Sequence, residues 1–282
     1  MNIETLIFFV AMNGLVLTAG YLIVTIAGHM SLALAASWCI PAYAYAVVAL
    51  RTHSVTTALV CAVLAGITAA LLQWLLSLRL HKLGFMIATL ALQELVLAVI
   101  ASAEFLGGRL GLVGFGTVSV SVLAPCACML LAAAVAGCVI LRRSKVGRDL
   151  AVIRQDALAA QSVGIRPSLL WLKVYVFAGV SLGLAGALYS MYSGAIMYTG
   201  FSIHQSILLL LAIIVARSAG PITPLVAAVF LVILPELLRV LPLGLERGEF
   251  ARNIVFAMVA VGIICASRRG WIRAPWSSKQ KG

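Results

Sequence analysis

Between residues 5 and 267 the sequence is a succession of apolar runs, most of them close to the ~20 residues that an α-helix needs to cross roughly 30 Å of hydrocarbon. They fall near 5–27, 32–50, 55–78, 84–103, 119–141, 172–194, 204–216, 222–238 and 253–267, separated by charged or Pro/Gly-rich breaks. Runs of this kind predict an all-α, polytopic transmembrane bundle of about eight or nine spans. The 204–216 run is short, and the RSAGPITP that follows it reads as a broken helix or a close turn. With 63% hydrophobic and 10% charged residues, the chain leaves no room for a separate soluble core, so one transmembrane domain is expected over 1–282. The N-terminus lacks the basic region and small-residue cleavage site of a signal peptide, and the first span is expected to be retained.

A net charge of +12 invites a nucleic-acid reading, but the basic residues sit in the breaks between spans rather than on one soluble face. Positive-inside topology accounts for them. If the basic stretch at 142–173 is cytoplasmic, alternation puts 15 of the 20 Lys and Arg residues inside, including those of a basic tail at 268–282. Five remain outside: Arg51, Arg109, Arg239, Arg247 and Arg252. That asymmetry predicts a cytoplasmic C-terminus and a periplasmic N-terminus. The six cysteines lie in or beside apolar runs, with no metal-ligand spacing beyond a lone Cys126-x-Cys128, and read as small hydrophobes.

One stretch departs from the apolar pattern. From Arg142 to Pro167 the chain reads RRSKVGRDLAVIRQDALAAQSVGIRP, a polar island between two spans. Ser144 is placed to cap a helix, Gly164 to end one in the left-handed conformation, and Pro167 to block its continuation. Leu150, Ile153, Ala157, Ala160 and Gly164 recur at spacings of three and four, making one narrow, mostly small apolar face. Such a face suits close approach by another surface, or by the chain's own bundle.

The island resembles the ATPase-docking loop of ABC importer permeases, in which an alanine pair is followed, after three residues, by glycine: here Ala159, Ala160 and Gly164. The wider string, Gly147-Arg148, Ala151-x-Ile153-Arg154-x-Asp156 and Leu158-Ala159-Ala160, is similar to the LivM-type permease of branched-chain amino acid ABC transporters. Further matches come in that family's order. They are Ala27-Gly28-x-x-Ser31-Leu32 with Ala35-Ala36 and Ala42-Tyr43; Ala88-Thr89-Leu90-Ala91 with Glu94; Gly107-Gly108-x-x-Gly111-Leu112; Leu184 to Tyr189; and Leu234 to Arg239. Leu158 replaces the acidic residue that often opens the docking motif, Ala216-Arg217 replaces a diglycine, and Ala33-Leu34 stands where Gly-His is common.

The resemblance implies an importer permease of a bacterial inner membrane, carrying branched-chain amino acids or a related small polar solute. It implies a LivH-like second permease, two cytoplasmic ATPase subunits and a periplasmic solute-binding protein, with the docking loop within 142–170. ATP would be bound by the partner subunits, and no cofactor of the chain's own is expected. Ala159, Ala160 and Gly164 would seat in the ATPase, with Arg148 and Arg154 pairing to acidic groups on its rim. The same arginines also serve as ordinary positive-inside charge.

Candidates for the solute path are Ser31, Thr89 and Glu94. Glu94 stands in an apolar span, where an ionised carboxylate costs on the order of 3 kcal/mol and is a functional candidate by default. A structural network with Gln93 and Thr89 is the alternative. Ser31, just after the Gly28 break, could face a solute at a broken helix or simply cap a turn. Gly179-x-x-x-Gly183-x-x-x-Ala187 is a small-residue stripe that favours close helix packing. Catalytic chemistry has little support: His29, His53, His81 and His204 are scattered, and there is no His-Glu metal motif, Gly-x-Ser-x-Gly elbow or P-loop. An ion-coupled secondary transporter is the alternative class, with Glu94 as its ion site.

Overall fold

Every apolar run up to residue 240 becomes a helix in the computed structural model, which describes residues 3–240 apart from the side chains of 157–159, 217–218 and 234–240. Helix α1 (Ile3–Gly20) continues as a π-helical turn over Tyr21–Ala27. Then come α2 (Leu34–Thr52), α3 (Val55–Arg79), α4 (Lys82–Ser102) and α5 (Val120–Arg143). Two short helices, α6 (Lys145–Gln155) and α7 (Ala157–Ser162), precede α8 (Pro167–Ser193), α9 (Ile203–Ala216) and α10 (Thr223–Val240). Seven helices among the described residues are long and apolar enough to cross a membrane, and Ala219–Ile233 is a shorter apolar helix. Helices suit this setting because each satisfies its own backbone hydrogen bonds where no water can. The expected 253–267 span and the basic tail lie outside the described residues.

The short 204–216 run is lengthened at its start by a 3-10 turn over Tyr198–Phe201, which brings the span to Tyr198–Ala216. The RSAGPITP break is a second 3-10 turn, Arg217–Ile222, in which Gly220 takes φ 71°.

Trp74 near the end of α3 donates to the Ser168 carbonyl at the start of α8, and His29 packs against both Phe85 of early α4 and Trp171 of early α8, so Arg79, Lys82 and the Arg142–Lys173 island gather at one end, called here the basic end. At the opposite end two-residue strands β1 (Leu112–Val113) and β2 (Ala195–Ile196) pair antiparallel, Leu112 opposite Ile196. Helix α8 packs on α3 through the small-residue stripe foreseen in the sequence. A methyl on Gly66 of α3 would lie 2.4 Å from the Gly179 carbonyl oxygen, and one on Gly183 would lie 2.5 Å from Val63 Cα. Backbones at such distances leave no volume for a side chain, and the close contact supplies the dispersion that holds helices together in lipid. On the α2 side, Ser190 Oγ donates to the Ala42 carbonyl at 2.9 Å and fixes the register of α8 against it.

The island forms two helices, not one. Ser144 caps α6, its Oγ accepting from the Gly147 N–H, and Gly164 takes φ 82°. The chain breaks at Asp156, whose extended backbone (φ −151°, ψ 112°) ends α6 and whose carbonyl receives the Ala160 N–H of α7. An aspartate is well suited to that entry position. Pro167 does more than stop a helix: it stands in the first turn of α8, where its missing N–H costs nothing.

Candidate functional site

The N-terminus of α2 is the most polar region inside the bundle. A helix start leaves its first N–H groups without intrahelical acceptors, and buried in an apolar setting each must find another. Here those of Ala35 and Ala36, and the amides of Leu32 and Ala33 just before the helix, are met by side chains, all but Ser31 from distant helices. Leu32 N–H donates to Thr89 Oγ1 (3.1 Å), Ala33 N–H to Ser31 Oγ (3.2 Å), Ala35 N–H to Ser206 Oγ (2.9 Å) and Ala36 N–H to Gln93 Oε1 (2.8 Å). The caps are themselves braced. Ser31 Oγ donates to Gln73 Oε1 at 2.7 Å, Gln73 Nε2 donates to Ser37 Oγ, and Gln93 Nε2 donates to the Phe201 carbonyl at 2.7 Å. Ser31, Gln73, Thr89, Gln93 and Ser206 are all fully buried. The network ties α2, α3, α4 and α9 to one point.

Of the three path candidates, the structure brings Ser31 and Thr89 together in this cap, with both hydroxyls engaged. It sets Glu94 apart: the carboxylate is on the exposed face of α4, among Ile87, Leu95 and Val99, while its neighbour Gln93 points inward. Gln73 and Ser206 had no place in the sequence reading, although a lone amide in an apolar span is a signal for such a bond.

At the basic end, the apolar stripe of the island divides. Leu150, Ile153 and Ala160 are buried against the chain's own helices, whereas Gly164 is exposed, and a methyl added there would meet nothing within 4 Å. Ala160 is therefore no surface contact. Both arginines turn to carbonyls of their own chain: Arg148 Nη1 donates to the Arg143 carbonyl (3.0 Å) and Arg154 Nη1 to the Thr25 carbonyl (2.6 Å). Ala159 lies on α7, and its side chain is outside the description. Beside Gly164, a cleft of about 440 Å³ is lined by Lys145, Asp149, Arg166 and Lys173, a mostly cationic rim over apolar Val163 and Leu169. It can accept an acidic, partly apolar surface.

His29, in the connector between α1 and α2, packs edge-on to Trp171, and its Nδ1 is 3.1 Å from the Tyr175 hydroxyl. Burial, aided by the nearby Lys82 charge, lowers its pKa to about 4, so the imidazole is neutral at physiological pH. Among the described residues, no three His, Cys, Asp or Glu side chains gather as a metal site would need.

Comparison with known proteins now adds to this geometry. A stretch of 99 residues is 27% identical to the high-affinity branched-chain amino acid transport system permease protein LivM of Salmonella typhimurium, covering 35% of this chain and 23% of that protein. The LivM of Escherichia coli K12 is 26% identical over 99 residues, with the same coverage. The matched stretch thus spans about a quarter of either relative's length. No solved structure matches the chain. Residues 2–266, nearly the whole sequence, match the family described as branched-chain amino acid transport system / permease component, and the chain belongs to that family.

Proposed function

We propose that this permease component is the membrane subunit of an ATP-driven importer in a bacterial inner membrane, passing a branched-chain amino acid or a related small polar solute inward. The observation that carries the reading is the α6–α7 loop. It is a basic, doubly helical excursion in a chain otherwise made of spans, with Gly164 bare at its surface beside a cationic cleft. A compact, exposed glycine lets a partner's surface seat closely, and the cleft's Lys145, Arg166 and Lys173 suit an acidic rim. In this reading one of two cytoplasmic ATPase subunits docks there and the other on the second permease, the two bind the ATP, and the chain itself makes no bonds.

Orientation follows from charge: the basic end and the C-terminal tail face the cytoplasm, and the N-terminus and β1–β2 face the periplasm, where a solute-binding protein delivers cargo. Glu94 supports a second, LivH-like permease subunit. A carboxylate midway along the outward face of α4 is costly against lipid, and a polar seam between two permeases with a solute path along it removes that cost. Ser31 and Thr89 hold the α2 terminus.

The test is reconstitution of the chain together with a second permease, ATPase subunits and a solute-binding protein from the same cell. Uptake of leucine, isoleucine or valine that requires ATP and the binding protein is the expected result. Uptake that persists without ATP and collapses with an ionophore would overturn the assignment in favour of an ion-coupled transporter.

A further inference from the structure

The docking loop makes a polar joint with the first span through Arg154 and Thr25, and that joint is unusually wound. Arg154, in the last turn of α6, sends its guanidinium to the carbonyl of Thr25, 129 residues away in sequence. Its aliphatic stem lies over Gly28, where an added methyl would sit 3.4 Å from Arg154 Cγ. The chain that carries the first of these contacts and leads to the second is π-helical, Tyr21–Ala27, and the Gly28 N–H reaches back to the Ile23 carbonyl before Gly28 turns left-handed at φ 82°. Helical winding of this kind is rare and concentrates at functional sites.

The π winding leaves a cost unpaid. Thr25 Oγ1 is buried and has no hydrogen-bond partner among the described residues. In an α winding the same hydroxyl would have an acceptor four residues back, the Tyr21 carbonyl, which is the usual partner of a threonine within an apolar helix. An α register would thus satisfy this hydroxyl, and the Arg154 bond is made to the present, π-wound one. Immediately beyond Gly28 lie Ser31 and the backbone amides capped by Thr89, Gln93 and Ser206, and then α2. A displacement of α6 is thus delivered where the first span hands over to the second.

We propose that Arg154 is a coupling strut. It holds Tyr21–Ala27 in the π winding through the Thr25 carbonyl, and when ATPase movement displaces α6 the turn rewinds and shifts the Gly28 hinge with the start of α2. The proposal rests on the importer reading above. Arg154 is here a positioning residue: it touches neither solute nor ATP.

The experiment uses the complete complex in nanodiscs with solute-loaded binding protein, comparing wild type with Arg154→Met, which keeps the stem and deletes the guanidinium. The readouts are subunit stoichiometry and solute transported per ATP hydrolysed. The expected result is unchanged stoichiometry with the transport-to-hydrolysis ratio reduced about tenfold, within the usual range of coupling between sites. Hydrogen exchange at residues 22–28 is expected to change between nucleotide-free and ATP-bound wild type and to lose that difference in the variant. A normal ratio in Arg154→Met overturns the strut. Should that variant fail to assemble, Arg154→Gln, whose shorter neutral side chain withdraws the donor from the Thr25 carbonyl, is read in the same way. Loss of assembly in both, with no intermediate coupling defect, makes the contact structural and also overturns the proposal. Failure of the importer reading is distinguishable, because wild-type uptake itself would then ignore ATP.

Discussion

Gln93 and Ser206, 113 residues apart in sequence, meet inside the bundle: the Ser206 hydroxyl donates to Gln93 Oε1 at 3.0 Å while the same oxygen accepts the Ala36 N–H. One amide thus serves two donors and, through Nε2, one carbonyl. Gln93→Leu leaves the Ala36 N–H, the Ser206 hydroxyl and the Phe201 carbonyl without this partner in a buried site. The expected loss is about 2 kcal/mol or more, given 1–3 kcal/mol for a single orphaned group. A thermal unfolding midpoint in detergent equal to that of wild type would show that the cap is dispensable.

The α3–α8 contact tolerates no added atom at Gly66, since a methyl would lie 2.4 Å from backbone oxygen, which cannot rotate away. Gly66→Ala should destabilise the chain by roughly 1–3 kcal/mol through forced separation of the helices. Gly116→Ala, where a methyl meets nothing within 4 Å, is the control and should be near neutral. Equal expression and melting for both variants would contradict the packing described.

Gly164 and Ala160 belong to one sequence motif but face opposite ways, and their variants should separate accordingly. Ala160→Trp adds bulk to a fully buried site and should destabilise the loop of the isolated chain. Gly164→Trp should destabilise the isolated chain by no more than about 1–2 kcal/mol, the scale of the left-handed backbone penalty, and yet lose the ATPase subunits on purification. Gly164→Asn, which tolerates φ 82°, should retain them. ATPase retention by Gly164→Trp would remove the exposed glycine from the docking surface.

Glu94→Gln removes a charge from the outward face of α4. With Glu94 on a polar seam, uptake should fall roughly ten- to hundredfold, the equivalent of one charge-assisted hydrogen bond of about 1.5–3 kcal/mol, while the complex assembles normally. Uptake at the wild-type rate and normal subunit levels would take Glu94 off the path.

His29 predicts a pH dependence whose sign can be worked out. Its folded pKa is lowered from 6.5 to about 4 by burial, so the unfolded chain binds the extra proton first. The contribution to stability is complete above pH ~6.5 and is lost as the pH falls from there through about 4. Melting of the detergent-solubilised chain should weaken across that window, and His29→Gln should lessen the slope. An identical slope in the variant would locate the dependence elsewhere.

What the sequence determined by itself is the set of helices up to residue 240 and the punctuation between them. Span length is set by the bilayer, and Ser144, Gly164 and Pro167 act through local backbone preferences, so their roles need no distant partner to be legible. The small-residue stripe at Gly179 and Gly183 was readable for the same reason: absence of bulk is a property of the residue. Tertiary structure decided everything that depends on where a helix face points. Gln93 and Glu94 are adjacent, and a helix turns them about 100° apart, but only packing against α2 and α9 sends the amide inward and the carboxylate out. The inward sides of Ala160, Leu150 and Ile153 likewise depend on the bundle beneath them, and so does the break at Asp156. The Arg154–Thr25 joint spans 129 residues of chain, a relation that no local pattern encodes.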